Sequence, residues 1–216
     1  MIVPYRSNLD RSRFELNLRK PKNHPIIKDI QNAKSAKDTE IKLISDVYDD
    51  SNPLHMTHHP AVIIMPYQIS TMNLVELYRL NIPMFCPSLQ LLKKWCREHD
   101  LMWEVHYGWP ERLDEVIGGE EKNTRVPDPN GSYNMDKNSD EWEEMFDYWV
   151  PLADFYQYEH ITYFDSWQEF FDKFDAMSKG DLEEVSSKMR KVNSLEEGKL
   201  VDQWRAIFRR VNPTQG

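Results

Sequence analysis

The chain has 216 residues, of which 40% are hydrophobic and 12% aromatic, and its formal net charge is -9 at pH 7. This length and composition predict one main domain core with a C-terminal extension rather than two full domains. The acidic balance argues against a general nucleic-acid or membrane-surface role, because a polyanion needs a positive surface to release its counterions. No apolar run is long enough to span a bilayer, and Met1 to Arg19 lack the apolar core of a signal peptide. The sequence therefore predicts a soluble chain, with its compartment undecided.

The first 60 residues carry the weaker secondary-structure patterns. Residues 1–22 are basic and polar, with too few apolar positions for a strand or helix, and predict an irregular lead-in. Isoleucines recur at helical intervals within residues 24–38, which predicts a helical segment there. Residues 40–47 alternate in polarity and predict a short strand.

The clearest pattern in the sequence lies between Ala61 and Cys86. Ala61 to Met65 form a continuous apolar, β-branched run of the kind that is buried on both faces of a parallel sheet. Ile82 to Cys86 repeat that character after a helical stretch over residues 72–81. A strand, a helix and a strand at this spacing indicate a parallel crossover. The predicted fold class is therefore α/β, with a parallel sheet and flanking helices.

The second half of the chain adds helices, one strand and a long loop. Ser166 precedes the helix that starts at Trp167, and Glu169 stands at the capping-box position. Cys86 and Cys96 have neither metal-knuckle nor disulfide-framework spacing and are predicted to be buried free thiols. The other predicted elements are a helix over 89–100, a loop over 103–138, a partly helical stretch over 140–158, a strand over 161–164 and a long amphipathic helix from 181.

These elements divide the chain into three predicted parts. Residues 1–22 form the basic lead-in, residues 23–180 the α/β domain and residues 181–216 a C-terminal helical extension. A loop as long as 103–138 inside a compact domain is usually functional or mobile. Asn130-Gly131-Ser132 within it matches a glycosylation acceptor, and the same three residues also form an ordinary turn.

The turn after the first apolar strand is the leading candidate for a ligand site. Gln68, Ser70 and Thr71 supply polar side chains at the strand's carboxyl end. Ligands of doubly wound sheets bind at that edge, and a helix N-terminus there offers N–H groups and a positive dipole end to a phosphate. The alternative is purely structural, because Asn73 and Glu76 three residues later match a capping box and would account for Glu76 without a ligand.

The run AVIIMPYQISTMNLVELYRLNIPMFCPS, from Ala61 to Ser88, resembles the nucleotide-sugar-binding half of a GT-B fold glycosyltransferase. In that family a strand, a Ser-rich turn and a Glu-bearing helix precede a strand of similar composition. Asp147 to Phe174 resemble the closing helix, strand and helix of the same half. The resemblance covers about residues 55–210 and implies that residues 23–180 form a Rossmann-like donor-binding domain.

The resemblance implies a UDP- or GDP-sugar donor bound without a metal. The diphosphate would lie against the turn at Ser70 and Thr71, and the carboxylate of Glu76 would accept hydrogen bonds from the ribose hydroxyls. Many retaining members carry a further Glu eight residues before this one, near the transferred sugar. That position is Gln68 here, which can orient sugar hydroxyls without supplying a negative charge. No catalytic residue is assigned.

Two functional hypotheses follow from this comparison. The first is glycosyl transfer from a nucleotide sugar, with a separate acceptor-binding domain or chain as partner. The second is a non-catalytic glycosyltransferase-like binding domain, or a fragment without the acceptor half, which Gln68 favours. A nucleotide-sugar epimerase is disfavoured because no paired acid and base residues stand out.

The other candidate residues have structural explanations. His55, His58 and His59 have helical spacing but no nearby carboxylate or cysteine to complete a metal site, so the sequence predicts a polar helix end. Arg79, the basic residue nearest to the turn, is predicted to lie on the solvated helix face. His160 is a weak candidate at a strand entrance.

Acidic and aromatic residues cluster towards the end of the predicted domain. The acidic group is predicted to consist of solvated or capping residues, and the aromatic group to pack in the core, although aromatic rings also stack on sugars. The acidic residues are Asp147, Asp154, Glu159 and Asp165, and the aromatic residues are Trp149, Phe155, Tyr156 and Phe164.

Overall fold

The structure, a computed structural model, describes residues 2–3, 25–50, 52–66, 69, 72–99, 101–102, 138 and 140–211. Five strands within these residues form one sheet in which every pair is parallel. The strands are β1 (Ile2–Val3), β2 (Lys42–Leu43), β3 (Val62–Ile63), β4 (Met84–Pro87) and β5 (Thr162–Phe164).

The strand order across the sheet is β2-β1-β3-β4-β5. In register, Ile2 lies opposite Val62, Val62 opposite Met84, and Phe85 opposite Thr162. This is an order found in doubly wound α/β folds, and it reverses direction between β1 and β3. The predicted α/β class with a parallel sheet is confirmed, and the strand order is consistent with a Rossmann-like sheet.

Helices flank the sheet and continue into a long C-terminal element. The α-helices are α1 (Pro25–Lys28), α2 (Ile44–Val47), α3 (Met72–Arg79), α4 (Leu89–His99), α5 (Asp140–Trp149), α6 (Asp154–Gln157), α7 (Trp167–Ala176) and α8 (Lys179–Val211). In the described ranges, three short 3-10 helices cover Asp29–Asn32, Pro53–His58 and Val150–Leu152.

The central strands are buried on both faces, as their continuous apolar sequence predicted. Val62, Ile63, Met84 and Phe85 are fully inaccessible to solvent. The ring of Phe85 meets that of Phe170 on α7 edge to face at 5.2 Å between centroids. Burying a side chain of this size stabilises a fold by about 1.5–3 kcal/mol, so these strands and α7 form the centre of the core.

Several predicted elements are confirmed with shifted boundaries, and one strand was missed. The predicted strand over 40–47 is confirmed only at β2, and it is wrong over residues 44–47, which form α2. The predicted helix over 24–38 is α1 with the 3-10 helix after it. Residues 1–22, predicted to be irregular, contain β1. The predicted loop over 103–138 lies outside the described residues, except for Asn138.

The packing predictions for cysteines and aromatic residues are also confirmed. Cys86 and Cys96 are buried free thiols. Phe155 and Phe164 are fully buried, whereas Trp149 and Tyr156 are partly buried against the same core. These aromatic side chains are therefore structural, as their spacing indicated.

Candidate functional site

The carboxyl ends of all five strands lie along one edge of the sheet because every pair is parallel. The chain moves from β1 to β2 on one side and then to β3 on the other side of β1. The connections that leave β1 and β3 therefore run in opposite directions along the sheet. Open α/β sheets bind ligands in the crevice between two such connections, at the carboxyl ends of the strands. We call the carboxyl edge between β1 and β3 the switch-point edge.

Strand β3 leads at this edge into the segment with the predicted ligand turn. Residues 64–66 continue from the strand and are buried, and the Ile64 amide donates a hydrogen bond to β4 over 2.8 Å. Gln68, Ser70 and Thr71 lie outside the described residues, so their contact with a diphosphate stays a prediction.

Helix α3 follows this turn and presents Glu76 to solvent. Its opposite face is buried, with Leu74, Leu77 and Tyr78 at most 1% exposed. Glu76 is four residues into the helix, about 6 Å along its axis from the switch-point end. The Glu76 carboxylate forms no hydrogen bond or ion pair with any residue that the structure describes, which leaves it accessible to a ligand.

The alternative explanation of Glu76 as a capping-box residue does not fit the helix. An N-cap residue has non-helical backbone angles and precedes the first turn. Helix α3 begins at Met72, so Asn73 is its second residue and is not its cap. A capping box formed by Asn73 and Glu76 is therefore absent from α3.

Arg79 is not a candidate for holding the diphosphate. It is the last residue of α3, and its side chain is exposed, as the sequence predicted. Seven residues separate it from the start of the helix, which corresponds to about 10 Å along the axis away from the switch-point edge.

The carboxyl edge also carries a pair of polar residues, Ser88 and Asp165, which the sequence analysis did not identify as a pair. Ser88 directly follows β4 and Asp165 directly follows β5, and the Ser88 hydroxyl donates a hydrogen bond to the Asp165 carboxylate. The Ser88 oxygen also accepts a hydrogen bond from the Leu91 amide over 3.2 Å and so caps α4. The signal in the sequence was a polar residue directly after each of two neighbouring strands.

The N-terminus of α7 lies at the same part of the edge. Ser166 caps it as predicted, accepting a hydrogen bond from the Glu169 amide over 3.1 Å. The Glu169 carboxylate accepts from the Asp165 amide instead of completing a capping box with Ser166. Hydrogen bonds from Lys173 and from the Asp165 amide lower the pKa of Glu169.

The two parts of the carboxyl edge therefore differ in electrostatic character. Beside β4 and β5, the polar groups of the chain already occupy the starts of α4 and α7. Asp165 adds negative charge there, whereas Glu169 is paired with Lys173 at 2.8 Å. The Asp165 carboxylate would therefore disfavour a diphosphate in that part. The start of α3 at the switch-point edge is the better position for an anion because of its positive dipole end.

Two of the histidines before β3 form local side-chain contacts. His55 Nε2 lies 2.8 Å from the Asp50 carboxylate, and the Tyr48 hydroxyl lies 2.8 Å from His59 Nε2. Burial lowers the pKa of His59, and nearby positive charge adds to the effect. Within the described part of the chain, no three His, Cys, Asp or Glu side chains converge on a possible metal position.

Two partly buried tyrosines donate hydrogen bonds to backbone carbonyl oxygens, one of them at the end of β4. The Tyr156 hydroxyl donates to the Pro87 carbonyl oxygen over 3.0 Å, and the Tyr163 hydroxyl donates to the Phe155 carbonyl oxygen over 3.0 Å. Burial raises the pKa of both phenols, that of Tyr163 to about 12. They are consequently neutral hydrogen-bond donors at physiological pH, with a structural role.

No described helix is both long and apolar enough to cross a membrane. Comparison of the chain with protein-family models, curated proteins and solved structures gives no match.

Proposed function

We propose that the chain is a glycosyltransferase-like domain that binds a UDP- or GDP-sugar donor at the switch-point edge. The observation that carries this proposal is the position of Glu76, an exposed carboxylate on the helix that follows β3 at that edge. The resemblance of residues 61–88 to donor-binding domains supports the same assignment.

Each part of the donor has a chemically suitable position in this proposal. The diphosphate lies at the turn containing Ser70 and Thr71, where the helix dipole favours negative charge. The Glu76 carboxylate accepts hydrogen bonds from both vicinal ribose hydroxyls, because each of its two oxygens can accept one. Gln68 orients hydroxyls of the transferred sugar.

Glycosyl transfer is the activity expected of a chain that binds such a donor without a metal. The acceptor then comes from a separate acceptor-binding domain or chain. The alternative is a non-catalytic binding domain, and Gln68 favours it, because an amide cannot stabilise the positive charge that develops on a sugar during transfer.

Calorimetric titration with UDP, GDP, UDP-glucose and GDP-mannose tests donor binding, with AMP as the control nucleotide. We expect at least one of the four ligands to bind at concentrations up to about 1 mM, which corresponds to about -4 kcal/mol. Binding by none of them would overturn the proposal.

Glu76→Gln then tests the ribose assignment. The two charge-assisted hydrogen bonds weaken to neutral ones, which costs about 1.5–3 kcal/mol and weakens binding roughly 10- to 100-fold. Glu98→Gln removes an exposed carboxylate from the last turn of α4 and serves as the matched control. Equal affinities of the two variants would show that Glu76 does not contact the ribose.

Release of free nucleoside diphosphate from a bound sugar donor separates the two functions. A glycosyltransferase releases UDP or GDP in the presence of an acceptor, and slowly by hydrolysis without one. A binding domain retains the donor unchanged. If Gln68 is the reason for inactivity, Gln68→Glu should raise hydrolysis about tenfold or more.

A further inference from the structure

Two histidines close on one tyrosine ring in the segment between β2 and β3. His55 stacks on the ring of Tyr48, with 4.3 Å between the ring centroids and 4° between the planes. His59 meets the same ring edge to face at 5.8 Å, and the Tyr48 hydroxyl lies 2.8 Å from His59 Nε2. Histidine changes its charge near neutral pH, so this cluster can respond to acid.

The 3-10 helix in this segment, Pro53–His58, is the part that the cluster holds in place. It packs against α3, and Met56 is the one of its six residues that is buried. Its start is held by a local contact, in which the Asn52 side chain accepts from the Leu54 amide over 3.0 Å. A short, largely accessible element of this kind opens locally at lower cost than the whole domain unfolds.

The two histidines face different groups. His55 Nε2 lies 2.8 Å from the Asp50 carboxylate, and a proton on His55 makes that contact a charge-assisted hydrogen bond. His59 Nε2 faces the Tyr48 hydroxyl, which can donate to it only while His59 is neutral. Acid therefore acts against the closed segment through His59 and not through His55.

The surroundings of His59 disfavour its charged form. Partial burial makes the largest contribution and lowers the pKa of His59, and the positive charges of the chain's amino terminus, His58 and Lys42 lower it further. Lys42 is itself paired with Glu40 at 2.9 Å, which reduces its effect. Helix α3 adds no resolved shift, and its charged residues are Glu76 and Arg79.

Protonation of His59 leaves the Tyr48 hydroxyl with a poorer acceptor. The Nε2 atom of an imidazolium is a donor, so the hydroxyl must turn to the His55 carbonyl oxygen, which is 3.3 Å away. That separation exceeds the usual O–H···O distance of about 2.7–2.8 Å. The closed segment then has a weaker hydrogen bond and a partly buried charge.

We infer that Tyr48, His55 and His59 form a pH-sensitive latch, which holds residues 52–59 against α3 while His59 is neutral and releases them when His59 is protonated. A histidine with a lowered pKa in the closed state stabilises that state fully above the pKa of the open state, about 6.5. This stability is lost as the pH falls from there to the lower, closed-state pKa.

The latch would also regulate the proposed donor site. Its release uncovers one side of α3, the helix on which Glu76 lies. Acid should therefore weaken the binding of a nucleotide-sugar donor, and this step rests on the proposed function.

Native-state hydrogen exchange at about pH 7.5 and about pH 5, corrected for the intrinsic rate at each pH, tests the latch without a ligand. The amides of His55 and His59 report opening, because they donate to the Asn52 and Met56 carbonyl oxygens over 3.1 and 3.0 Å. We expect the opening equilibrium to rise at least about threefold on acidification, and a free histidine pKa of about 6.5 limits the rise to about 30-fold.

Three variants identify the group that responds. His59→Gln cannot become charged and should abolish the rise, whereas His58→Gln, which removes the exposed neighbouring histidine, should keep it. Tyr48→Phe keeps the ring without the hydroxyl, so its segment should already open more readily at about pH 7.5. Circular dichroism checks that each variant is folded.

Several results would overturn the latch. These are an unchanged opening equilibrium in the wild type, a rise that survives in His59→Gln, and a rise that both histidine variants lose equally. Titration of His59 in the wild type by NMR gives a further readout, and a pKa at or above the free value of about 6.5 would also overturn it.

Calorimetric titration with UDP, GDP, UDP-glucose and GDP-mannose at both pH values tests the regulation. The wild type should lose about threefold or more affinity relative to His59→Gln, because the pH effects on Glu76 and on the ligand are the same in both proteins. Equal losses would overturn the regulation. Binding of no ligand at either pH would overturn the proposed function, whereas hydrogen exchange alone decides on the latch.

Discussion

Asp175 on α7 is a position at which a single conservative change is expected to cost much stability. Its side chain is only 8% exposed, and it receives hydrogen bonds from the loop over residues 35–39, about 140 residues earlier in the chain. Replacing the carboxylate by an amide of the same shape, Asp175→Asn, removes the charge without creating a cavity.

The expected magnitude follows from the four hydrogen bonds. Oδ2 accepts from the Ser35 hydroxyl over 2.7 Å and from the Ala36 and Lys37 amides over 2.7 and 3.3 Å, and Oδ1 accepts from the Thr39 hydroxyl over 2.7 Å. A hydrogen bond to a charged group contributes about 1.5–3 kcal/mol and a neutral one about 1 kcal/mol.

An asparagine oxygen can keep three of these bonds in neutral form, and its amide nitrogen faces the Thr39 hydroxyl. We therefore expect Asp175→Asn to lower the free energy of unfolding by about 2–3 kcal/mol and the Tm by roughly 5–10 °C. Asp175→Ala loses all four bonds and should cost more, about 4–5 kcal/mol; this is less than the sum of the four bonds because water can bond to their partly exposed partners.

The pH dependence gives a second, independent readout. Burial raises the pKa of the Asp175 carboxyl, but the hydrogen bonds from the 35–39 loop outweigh it and lower the pKa below its usual range. A group with a lowered folded-state pKa contributes its stability above its unfolded pKa, about 3.9, and loses it as the pH falls through the folded pKa. The difference between wild type and Asp175→Asn should therefore be full at neutral pH and shrink below about pH 4.

Urea unfolding followed by circular dichroism measures both effects. Asp172→Asn is the control, because Asp172 lies on the same helix, carries the same charge and is exposed, with one hydrogen bond from Gln168. It should change stability by no more than about 0.5 kcal/mol. If the two variants unfold at the same urea concentration, the Asp175 contacts do not stabilise the fold as reasoned.

Two further predictions concern the packing of α8 on the domain and the reactivity of the two buried thiols. Asn193→Ala should lower the free energy of unfolding by about 1–2 kcal/mol in urea unfolding, because it removes two hydrogen bonds to the end of α3. Gln203→Ala, which removes an exposed amide side chain from the same helix, is its control, and equal stabilities of the two variants would contradict the reasoning. Cys86 and Cys96 should resist a thiol reagent in the native protein and react fully in denaturant. Both side chains are buried, and burial also raises the pKa of Cys86. Rapid labelling of the native protein would contradict this prediction.

The unit from β3 to β4 could be predicted from sequence because its evidence is local. In a small domain, a short continuous apolar run is usually a strand at the centre of a parallel sheet. The helical pattern between two such runs indicates a crossover connection between parallel strands. In the structure, Val62 and Ile63 pair with the strand from Met84 to Pro87, and both strands are buried. The start of α3 at Met72 agrees with the same pattern.

Elements defined by distant contacts could not be predicted in this way. Strand β1 has two residues, too few for any periodicity, and it is identified only by its pairing with β2 and β3. The same holds for Asp175, whose partners are 136 to 140 residues away in sequence. Polar side chains that satisfy each other across such separations leave no spacing signal in the sequence.

The candidate site shows where the sequence evidence was sufficient and where the fold added to it. The sequence supplied Glu76 together with a capping explanation that accounts for it without a ligand, and only the observed position of Asn73 within α3 removes that explanation. If the proposed function holds, a donor is expected beside β3 and not beside β5, since Asp165 already accepts the hydrogen bond of Ser88 at the far part of the edge. Under the proposed function, a nucleotide diphosphate would bind at the positive end of α3, and the carboxylate of Glu76, one turn further along that helix, would accept hydrogen bonds from the ribose.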